Sequence, residues 1–243
     1  MPSVTCFRFR FTPSWLMICI ATLSFTLLAS LGFWQLHRAN EKKNMLLAEH
    51  LQRKQKPLLW DSNKTLPQQY QLLQVEGVYL PYIFLLDNQY HRHQWGFDVL
   101  SPMLLAGGQV VLIDRGWVLG DSTRQSFPKI ITPMERLPIQ GQVYYPSSKQ
   151  WVLGPAVEKK NDKLSILEKI DTQIAEQILQ KKVYPFIIRL DRKENYGFLR
   201  DWAIVSMAPE RHLAYAWQWF SMALAVFILF IVLNVKRNEK TNN

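Results

Sequence analysis

Leu213 to Val235 reads LAYAWQWFSMALAVFILFIVLNV, and Phe11 to Leu36 reads FTPSWLMICIATLSFTLLASLGFWQL. Neither stretch carries a charge, and every acidic residue of the 243-residue chain lies outside them. A helix of about 20 apolar residues spans the hydrocarbon core of a bilayer. The sequence therefore predicts two transmembrane helices, at residues 15–36 and 213–235.

A cleaved signal peptide is the alternative interpretation of the first stretch. The apolar region of a signal peptide is usually shorter and ends at a small-residue cleavage site. Here it runs into Gly32-Phe33-Trp34-Gln35-Leu36, which is a poor cleavage site. We therefore favour a membrane anchor at both ends of the chain.

Two membrane helices place both chain termini on the same side of the membrane. Basic residues flank the outer end of each helix, but Arg38 and Arg211 lie at the inner ends, so the charge signal is mixed. Long loops cross membranes largely regardless of charge. We expect cytoplasmic tails at residues 1–14 and 236–243, and an extracytoplasmic domain at residues 37–212.

The net charge of +10 could indicate a nucleic-acid partner. The basic residues are scattered, however, and many flank the predicted helices, where membrane lipid is the natural partner. We therefore expect no nucleic-acid partner. The cysteines, Cys6 and Cys19, both precede residue 37, which excludes disulfides and thiolate-bound metals from the domain.

The domain between the helices is long enough to form one hydrophobic core. Its first part is polar with leucines at helical spacing, so we expect the first helix to continue into water to about Lys56, before Pro57. Short runs rich in β-branched and aromatic residues then predict strands at residues 70–80, 82–86, 96–105, 109–119, 139–145, 183–190 and 203–207.

Turns and one further helix complete the prediction for this domain. Asp87-Asn88, Gly107-Gly108 and Gly120-Asp121 are turn signals, and Leu164 to Gln180 has the apolar stripe of an amphipathic helix. The expected fold is a membrane α+β protein, in which two transmembrane helices flank a β-rich extracytoplasmic domain. A small barrel with a flanking helix is one form that this domain could take.

His212 is the strongest candidate for cofactor chemistry, because it lies directly before the second membrane helix. The positive end of the helix dipole favours a neutral imidazole, the form that binds metal. Tyr215 and Trp219 follow within two turns and suit a flat apolar ligand such as haem. Arg211 and Arg38 could pair with haem propionates. From the residues alone, a histidine that hydrogen-bonds water and lipid headgroups is the favoured interpretation.

The other candidate sites favour structural interpretations. His37 falls at the same interface as His212, and its geometry would allow a second axial ligand if the helices pack. His91 and His93 could form half of a metal site on a strand, but an exposed loop is favoured. Asp114-Arg115-Gly116-Trp117 is best explained by a buried Asp–Arg pair or a strand-end turn.

Four segments in order resemble the surfeit-locus protein 1 family of cytochrome oxidase assembly factors. Together they cover nearly the whole chain: Leu31–Arg38 with Lys42, Asp87–Gln89 with Gly96–Val99 and Pro102, Val111–Val118, and His212–Phe220. Two features depart from the family pattern. Gly120 replaces a common proline, and residues 146–162 match poorly.

The resemblance implies assembly of a haem-copper cytochrome c oxidase, through binding or delivery of haem a for insertion into subunit I. It implies that His212 is the metal ligand in a cofactor site with Arg38, Arg211, Tyr215 and Trp219. Subunit I and membrane lipid are the implied partners, with haem a synthase as a further candidate. Because the first helix starts at residue 15 and leaves no room for a transit peptide, we expect a bacterial inner membrane protein with a periplasmic domain.

Two other functions compete with haem handling. A cofactor-free structural chaperone would hold an oxidase subunit during assembly without binding haem itself. A periplasmic sensor or enzyme is disfavoured, because the sequence contains no Gly-rich phosphate loop and no nucleophile elbow. We therefore expect that the protein is not an enzyme.

Overall fold

The computed structural model describes residues 4–6, 9–61, 65–147, 152 and 154–237. In chain order the elements are β1 (Val4–Cys6), β2 (Phe9–Phe11), α1 (Trp15–Arg53), β3 (Leu58–Leu59), β4 (Leu72–Tyr79), β5 (Ile83–His91), β6 (Gln94–Leu105), β7 (Val110–Leu119), β8 (Arg136–Tyr144), β9 (Val157–Asn161), β10 (Leu164–Leu167), α2 (Thr172–Leu179), β11 (Val183–Leu190), α3 (Pro209–Asn234) and β12 (Val235–Arg237). The chain divides into two compact units, a two-helix unit formed by its ends up to Leu47 and from Ile204, and a β-rich unit of residues 48–203.

The helices α1 and α3 are both long and apolar enough to cross a membrane, each with a mean hydropathy of 2.1 over its most apolar window. The first helix continues well past Leu36 and ends at Arg53, shortly before Pro57, in agreement with the expected extension. The second helix begins at Pro209, four residues before the predicted start at residue 213. Proline fits this first position because its missing N–H would have no helical partner there.

Aromatic and small side chains pack the two helices together. Phe33 and Phe220 meet edge to face with ring centroids 5.2 Å apart. A side chain at Gly32 would come within 2.6 Å of the Phe220 ring, so the glycine permits this close approach. At the other end of the pair, β2 lies between β1 and β12 in a three-stranded antiparallel sheet. The two tails of the chain therefore meet at the same end of an antiparallel helix pair.

The β-rich unit is built around a closed ring of strands. The nine-stranded sheet has the order β3-β4-β8-β11-β7-β6-β5-β10-β9, and an additional pairing joins β4 to β6. The strands β4, β8, β11, β7 and β6 therefore form a five-membered ring, which confirms the expected β-rich domain with a small barrel. Parallel pairing occurs between β11 and β7, between β10 and β5, and between β3 and β4.

Alternate residues of the ring strands fill two different hydrophobic clusters, as expected for strands covered on both faces. Val111 and Ile113 of β7 lie in a cluster with Trp60, Phe186 and other aromatic side chains. Leu112, between them, lies in a second cluster on the opposite face, which α2 covers. The helix α2 begins at the N-cap Asp171, whose carboxylate accepts hydrogen bonds from two backbone N–H groups of its first turn.

Two predicted elements are wrong. The segment predicted as one helix from Leu164 to Gln180 begins as the strand β10, paired on both sides, and only Thr172–Leu179 is helical. A short apolar run such as Leu164–Leu167 does not distinguish a buried strand from a helix. The strand predicted at residues 203–207 is absent from the described chain, where this segment makes no ladder pairing. The charged strand β9 was not predicted.

The turn predicted at Asp87-Asn88 is also wrong. Both residues lie inside β5, where the pairing register with β6 shifts and Asn88 adopts a φ of 57°. The hairpin turn lies at Arg92 and His93, with φ angles of 47° and 65°, as in the two-residue turns that match strand twist. The turn expected at Gly107-Gly108 joins β6 to β7 and is confirmed.

Candidate functional site

His212 lies in the first turn of α3 rather than directly before the helix. With Pro209, Ala216 and Ala223 it forms the buried face of α3, and only 8% of its surface is exposed. A histidine is rarely buried to this extent without polar partners. The hydrogen bonding of its two ring nitrogens therefore determines whether His212 can bind a ligand.

The partner of His212 is Gln35, 177 residues earlier on α1. The distance between His212 Nδ1 and Gln35 Oε1 is 2.7 Å. Because an amide oxygen only accepts hydrogen bonds, Nδ1 carries the proton, and in a neutral ring Nε2 keeps its lone pair. His212 Nε2 is buried, and it has no hydrogen-bond partner within the described residues. This tautomer is the one in which a histidine binds a metal through Nε2.

The other predicted site residues are Arg38, Arg211, Tyr215 and Trp219. Arg38 pairs with Glu41 on its own helix at 2.5 Å, so its guanidinium is already engaged. Arg211 is exposed, Tyr215 is 45% exposed and Trp219 is half-buried. Within the described chain, no hydrogen bond or ion pair joins any of these four residues to His212.

The donor atoms at this site fit a haem iron in part. His212 offers a nitrogen without a partner, and Gln35 holds the ring in the required tautomer. Arg211, which is exposed one residue before His212, would be able to reach a propionate. His212 Nε2 is enclosed in this conformation, so a ligand would have to displace the groups that cover it. His37 is exposed, and no contact joins it to His212 within the described chain.

Sequence reasoning did not identify Gln35 as the partner of His212. The only signal was its position in the Leu31–Arg38 segment that resembles a family motif. Hydrogen-bonding residues far apart in sequence cannot be paired from local pattern alone, because periodicity reports only which face of a helix is buried.

Asp114-Arg115-Gly116-Trp117 is not organised as a buried Asp–Arg pair or as a strand-end turn. The strand β7 continues through it to Leu119. Asp114 instead accepts a hydrogen bond from Gly116 N at 3.2 Å. Both predicted explanations of this segment are therefore wrong, although the expectation of burial is correct.

Arg115 is 1% exposed and uses each of its guanidinium nitrogens. Nε donates to the carbonyl oxygen of Tyr196 and Nη2 to that of Ile131, each at 2.8 Å. Nη1 lies 3.3 Å from the hydroxyls of Ser101 and Thr132. The guanidinium also lies near the rings of Tyr79 and Phe198. Burial lowers the pKa of Arg115, and burial raises the pKa of Tyr79 to about 12.

Gly116 allows a second chain segment to approach β7 beside Arg115. Its φ of 108° is a conformation that residues with a Cβ rarely adopt. A Cβ there would lie 2.5 Å from the carbonyl oxygen of Leu199. Trp117 N donates to that same oxygen at 2.7 Å. The motif therefore anchors the segment around Leu199 and the loop around Ile131 to the ring of strands.

His91 and His93 do not form half of a metal site. His91 ends β5, and its ring centroid lies 5.5 Å from that of Trp117, whereas His93 is exposed in the hairpin turn. The favoured interpretation of an exposed loop is therefore correct for His93 and wrong for His91, which lies in β5. Within the part of the chain that the structure describes, no group of three or more potential metal-ligating His, Cys, Asp or Glu residues occurs.

A pair of long apolar helices with a buried histidine, combined with a small closed ring of strands, defines a class of two-helix, β-ring proteins. The SURF1 family model matches residues 22–224, so the chain belongs to the SURF1 family. This family is generally linked to oxidase assembly.

Curated relatives agree with this assignment. The SURF1-like protein of Rickettsia felis is 28% identical over 224 residues, covering 88% of this chain and 94% of that protein. The SURF1-like protein of Rickettsia conorii is 28% identical over 218 residues, covering 86% of this chain and 88% of the Rickettsia conorii protein. An uncharacterized SURF1-like protein of Mycobacterium bovis is 29% identical over 141 residues, covering 54% of this chain and 50% of that protein.

Proposed function

We propose that this protein assists the assembly of a haem-copper cytochrome c oxidase by binding haem a and delivering it to subunit I, and that it is not an enzyme. The observation that carries the proposal is the buried Nε2 of His212, which has no partner in the described part of the chain, while Nδ1 donates a hydrogen bond to Gln35. A buried polar atom without a hydrogen bond is costly, by about 1–3 kcal/mol. A function that uses the atom as a metal ligand explains why this cost is tolerated.

The chemistry of this histidine supports haem over other ligands. The haem iron accepts a neutral imidazole nitrogen, and Gln35 holds Nδ1 so that Nε2 is the nitrogen available. Aromatic rings line the same helix pair, including Phe33 and Phe220. A flat apolar macrocycle is compatible with such surroundings, whereas a hydrated ion is not. Haem a synthase is a second proposed partner, as the source of the cofactor.

The membrane location is part of the same proposal. We infer that α1 and α3 cross the inner membrane of a bacterium, with lipid around them, both tails in the cytoplasm and the β-rich unit in the periplasm. The length and hydropathy of the helices support this arrangement, and so does the pairing of β2 with β12, which brings both tails together. His212 would then lie near the periplasmic interface, close to the oxidase subunit that receives the haem.

The competing function is a cofactor-free chaperone that holds an oxidase subunit. One observation favours it: His212 Nε2 is fully enclosed in this conformation, so no open coordination position exists at the atom. If that enclosure persists, His212 serves only to join α1 to α3 through Gln35.

Absorption spectroscopy distinguishes the two functions. The full chain is purified in detergent from a host that makes haem a, and its Soret band is compared with that of His212→Ala. We expect the wild type to carry haem a and the variant to lose it. A Gln35→Leu variant should retain less haem than the wild type, because Nδ1 loses the acceptor that fixes the tautomer.

His37→Ala is the matched control, since His37 is exposed on α1 and should leave the spectrum unchanged. An equal Soret band in wild type and His212→Ala would exclude His212 as the ligand. Co-purification with subunit I without stoichiometric haem in any host would favour the cofactor-free chaperone.

A further inference from the structure

A polar pocket of about 220 Å³ opens on the β-rich unit, and neither the SURF1 assignment nor the His212 proposal uses it. Strands β5, β6, β7 and β11 and the segment that follows β11 supply its lining. The lining includes three charged side chains and two indole rings: Asp98, Asp201, Arg189, Trp117 and Trp202. Whether these charges are already paired decides whether the pocket can bind a ligand.

Two of the three charged side chains are free to bind, and they carry opposite charges. Asp201 is already paired with Arg192, whose Nη2 lies 2.7 Å from its Oδ1. No ion pair within 4.0 Å joins Asp98 to Arg189, and neither side chain makes a hydrogen bond within the described residues. Asp114 of β7 does not line the pocket, and burial raises its pKa well above the ordinary value, which favours its neutral form. The lining therefore offers one carboxyl group and one guanidinium in balance.

Aromatic rings rather than hydrogen bonds hold the guanidinium of Arg189. Its Cζ lies 3.8 Å from the centroid of the Tyr144 ring and 5.3 Å from that of Trp202. Ring contacts of this kind fix a guanidinium but supply no acceptor for its N–H groups, which lie in its own plane. Nε is buried without a hydrogen-bond partner among the described residues. Arg189 is therefore a positioned donor, and a carboxylate is the acceptor that matches its planar geometry.

Asp98 determines what else the ligand must carry. Burial raises the pKa of Asp98 to about 6, although Arg189 opposes the shift, so the carboxyl is mainly ionised at pH 7.5. An ionised Asp98 repels a ligand whose only charge is a carboxylate, and Arg189 repels a ligand whose only charge is positive. A ligand with both charges places each beside its opposite and keeps the pocket electrically neutral.

The size and the walls of the pocket restrict the ligand further. Pockets that hold drug-sized ligands measure about 300–1,000 Å³, so a pocket of about 220 Å³ suits a smaller molecule. Backbone carbonyls fix both indole rings: Trp117 Nε1 donates to Gln89 at 3.2 Å, and Trp202 Nε1 donates to Leu190 at 3.4 Å. Indole faces attract ammonium groups and also pack against aliphatic groups.

We propose that this pocket binds a small zwitterion of the α-amino acid type, with its carboxylate against Arg189 and its ammonium group against Asp98. Each charge of such a ligand gains charge-assisted hydrogen bonds from a side chain that has none within the described chain. The indole rings of Trp117 and Trp202 contribute the apolar walls. This inference does not rest on haem binding, because it uses no residue of the two-helix unit.

Isothermal titration calorimetry with the detergent-solubilised full chain at pH 7.5 tests the proposal without any variant. The zwitterionic probes are glycine and L-leucine. Glycinamide lacks the carboxylate, and N-acetylglycine lacks the ammonium group. We expect saturable binding of at least one zwitterion, with both single-charge analogues at least about 10-fold weaker than glycine or L-leucine, because each loses a charge-assisted hydrogen bond.

Two variants with matched controls locate the site. Arg189→Gln and Asp98→Asn should each weaken zwitterion binding at least about 10-fold. The exposed Asp162→Asn and the half-exposed Arg136→Gln remove the same charges elsewhere and should leave binding unchanged. Absence of binding by both zwitterions, equal binding by either single-charge analogue, or unchanged binding in both pocket variants would overturn the proposal.

Discussion

Arg115 in the β-rich unit and His212 in the two-helix unit are both buried polar side chains, but their hydrogen bonding differs. Every nitrogen of the Arg115 guanidinium has a partner, and two of those partners are backbone carbonyls of separate segments. His212 uses one ring nitrogen, and the other is buried without a partner among the residues that the structure describes. Complete pairing is what a structural role requires, whereas an unpaired donor or acceptor leaves capacity for a ligand.

The two residues also differ in how much of the structure depends on them. Arg115 holds the loop around Ile131 and the segment around Tyr196 against the ring, so its loss should affect folding. His212 holds only Gln35, so its loss should affect ligand binding more than folding.

Replacing Arg115 with methionine should lower the free energy of unfolding by about 3–5 kcal/mol, because buried carbonyls and hydroxyls would lose their donors together. Chemical denaturation of the detergent-solubilised protein, followed by near-ultraviolet circular dichroism, measures this loss. Arg136→Met is the control: its guanidinium is about half exposed and lies 3.7 Å from Glu76, so the expected change is within about 0.5 kcal/mol. A similarly small change in the free energy of unfolding of Arg115→Met would contradict the structural role of Arg115.

Asp98 of β6 contrasts with Arg115, because its carboxyl makes no side-chain hydrogen bond within the described residues. Burial raises the pKa of Asp98 to about 6, although Arg189 opposes the shift, and this predicts a pH effect of intermediate size. Between about pH 4 and pH 6 the folded form retains a proton on Asp98 that the unfolded chain releases. Stability due to this group is therefore present at low pH and lost as pH rises through about 6, by about 3 kcal/mol in total.

Comparison of the wild type with Asp98→Asn isolates this contribution from the other titrating groups. Asparagine has no ionisable carboxyl, so the variant does not lose this stability. Its free energy of unfolding should therefore increase relative to that of the wild type between pH 4 and pH 6.5. A constant difference between the two proteins across this range would mean that Asp98 titrates normally in the folded state.

His212→Ala should have the smallest effect on stability, about 1 kcal/mol, because it removes one hydrogen bond and also the buried unpaired nitrogen. Thermal unfolding of the haem-free protein measures it. Gln35→Ala should cost more than His212→Ala, because it leaves both ring nitrogens of His212 without partners. The reverse order would argue that His212 Nε2 has a partner and is not available for a ligand.

Sequence patterns predicted the ring strands well because each of these strands buries at least one of its faces in a hydrophobic cluster. The strand β11 was predicted with its observed bounds, since Val183–Leu190 is a largely apolar run that is preceded and followed by polar residues. The strand β9 was not predicted because Val157–Asn161 is an exposed edge strand with three charged residues. Charged residues protect edge strands from aggregation, but they also leave no alternation of apolar and polar residues from which a strand can be predicted.

The candidate sites were harder to predict because their partners are far apart in sequence. His212 could be selected from its position near a helix start, but Gln35 could not be assigned to it before the helices were known to pack. Asp98 and Arg189 lie on the different strands β6 and β11, and only the strand order β11-β7-β6 places both side chains in the lining of the same pocket of the β-rich unit. Local propensity carries no information about that strand order.

The position of β11 in the ring has a consequence for biogenesis. It inserts between β7 and β8, so these two strands each have an unpaired edge until Val183–Leu190 has been synthesised. Such a topology folds slowly, because the chain must close long loops before the pairing stabilises it. During that interval the nascent protein exposes hydrogen-bonding edges to proteases and to other chains, so truncation before β11 should yield degradation rather than a smaller stable fragment.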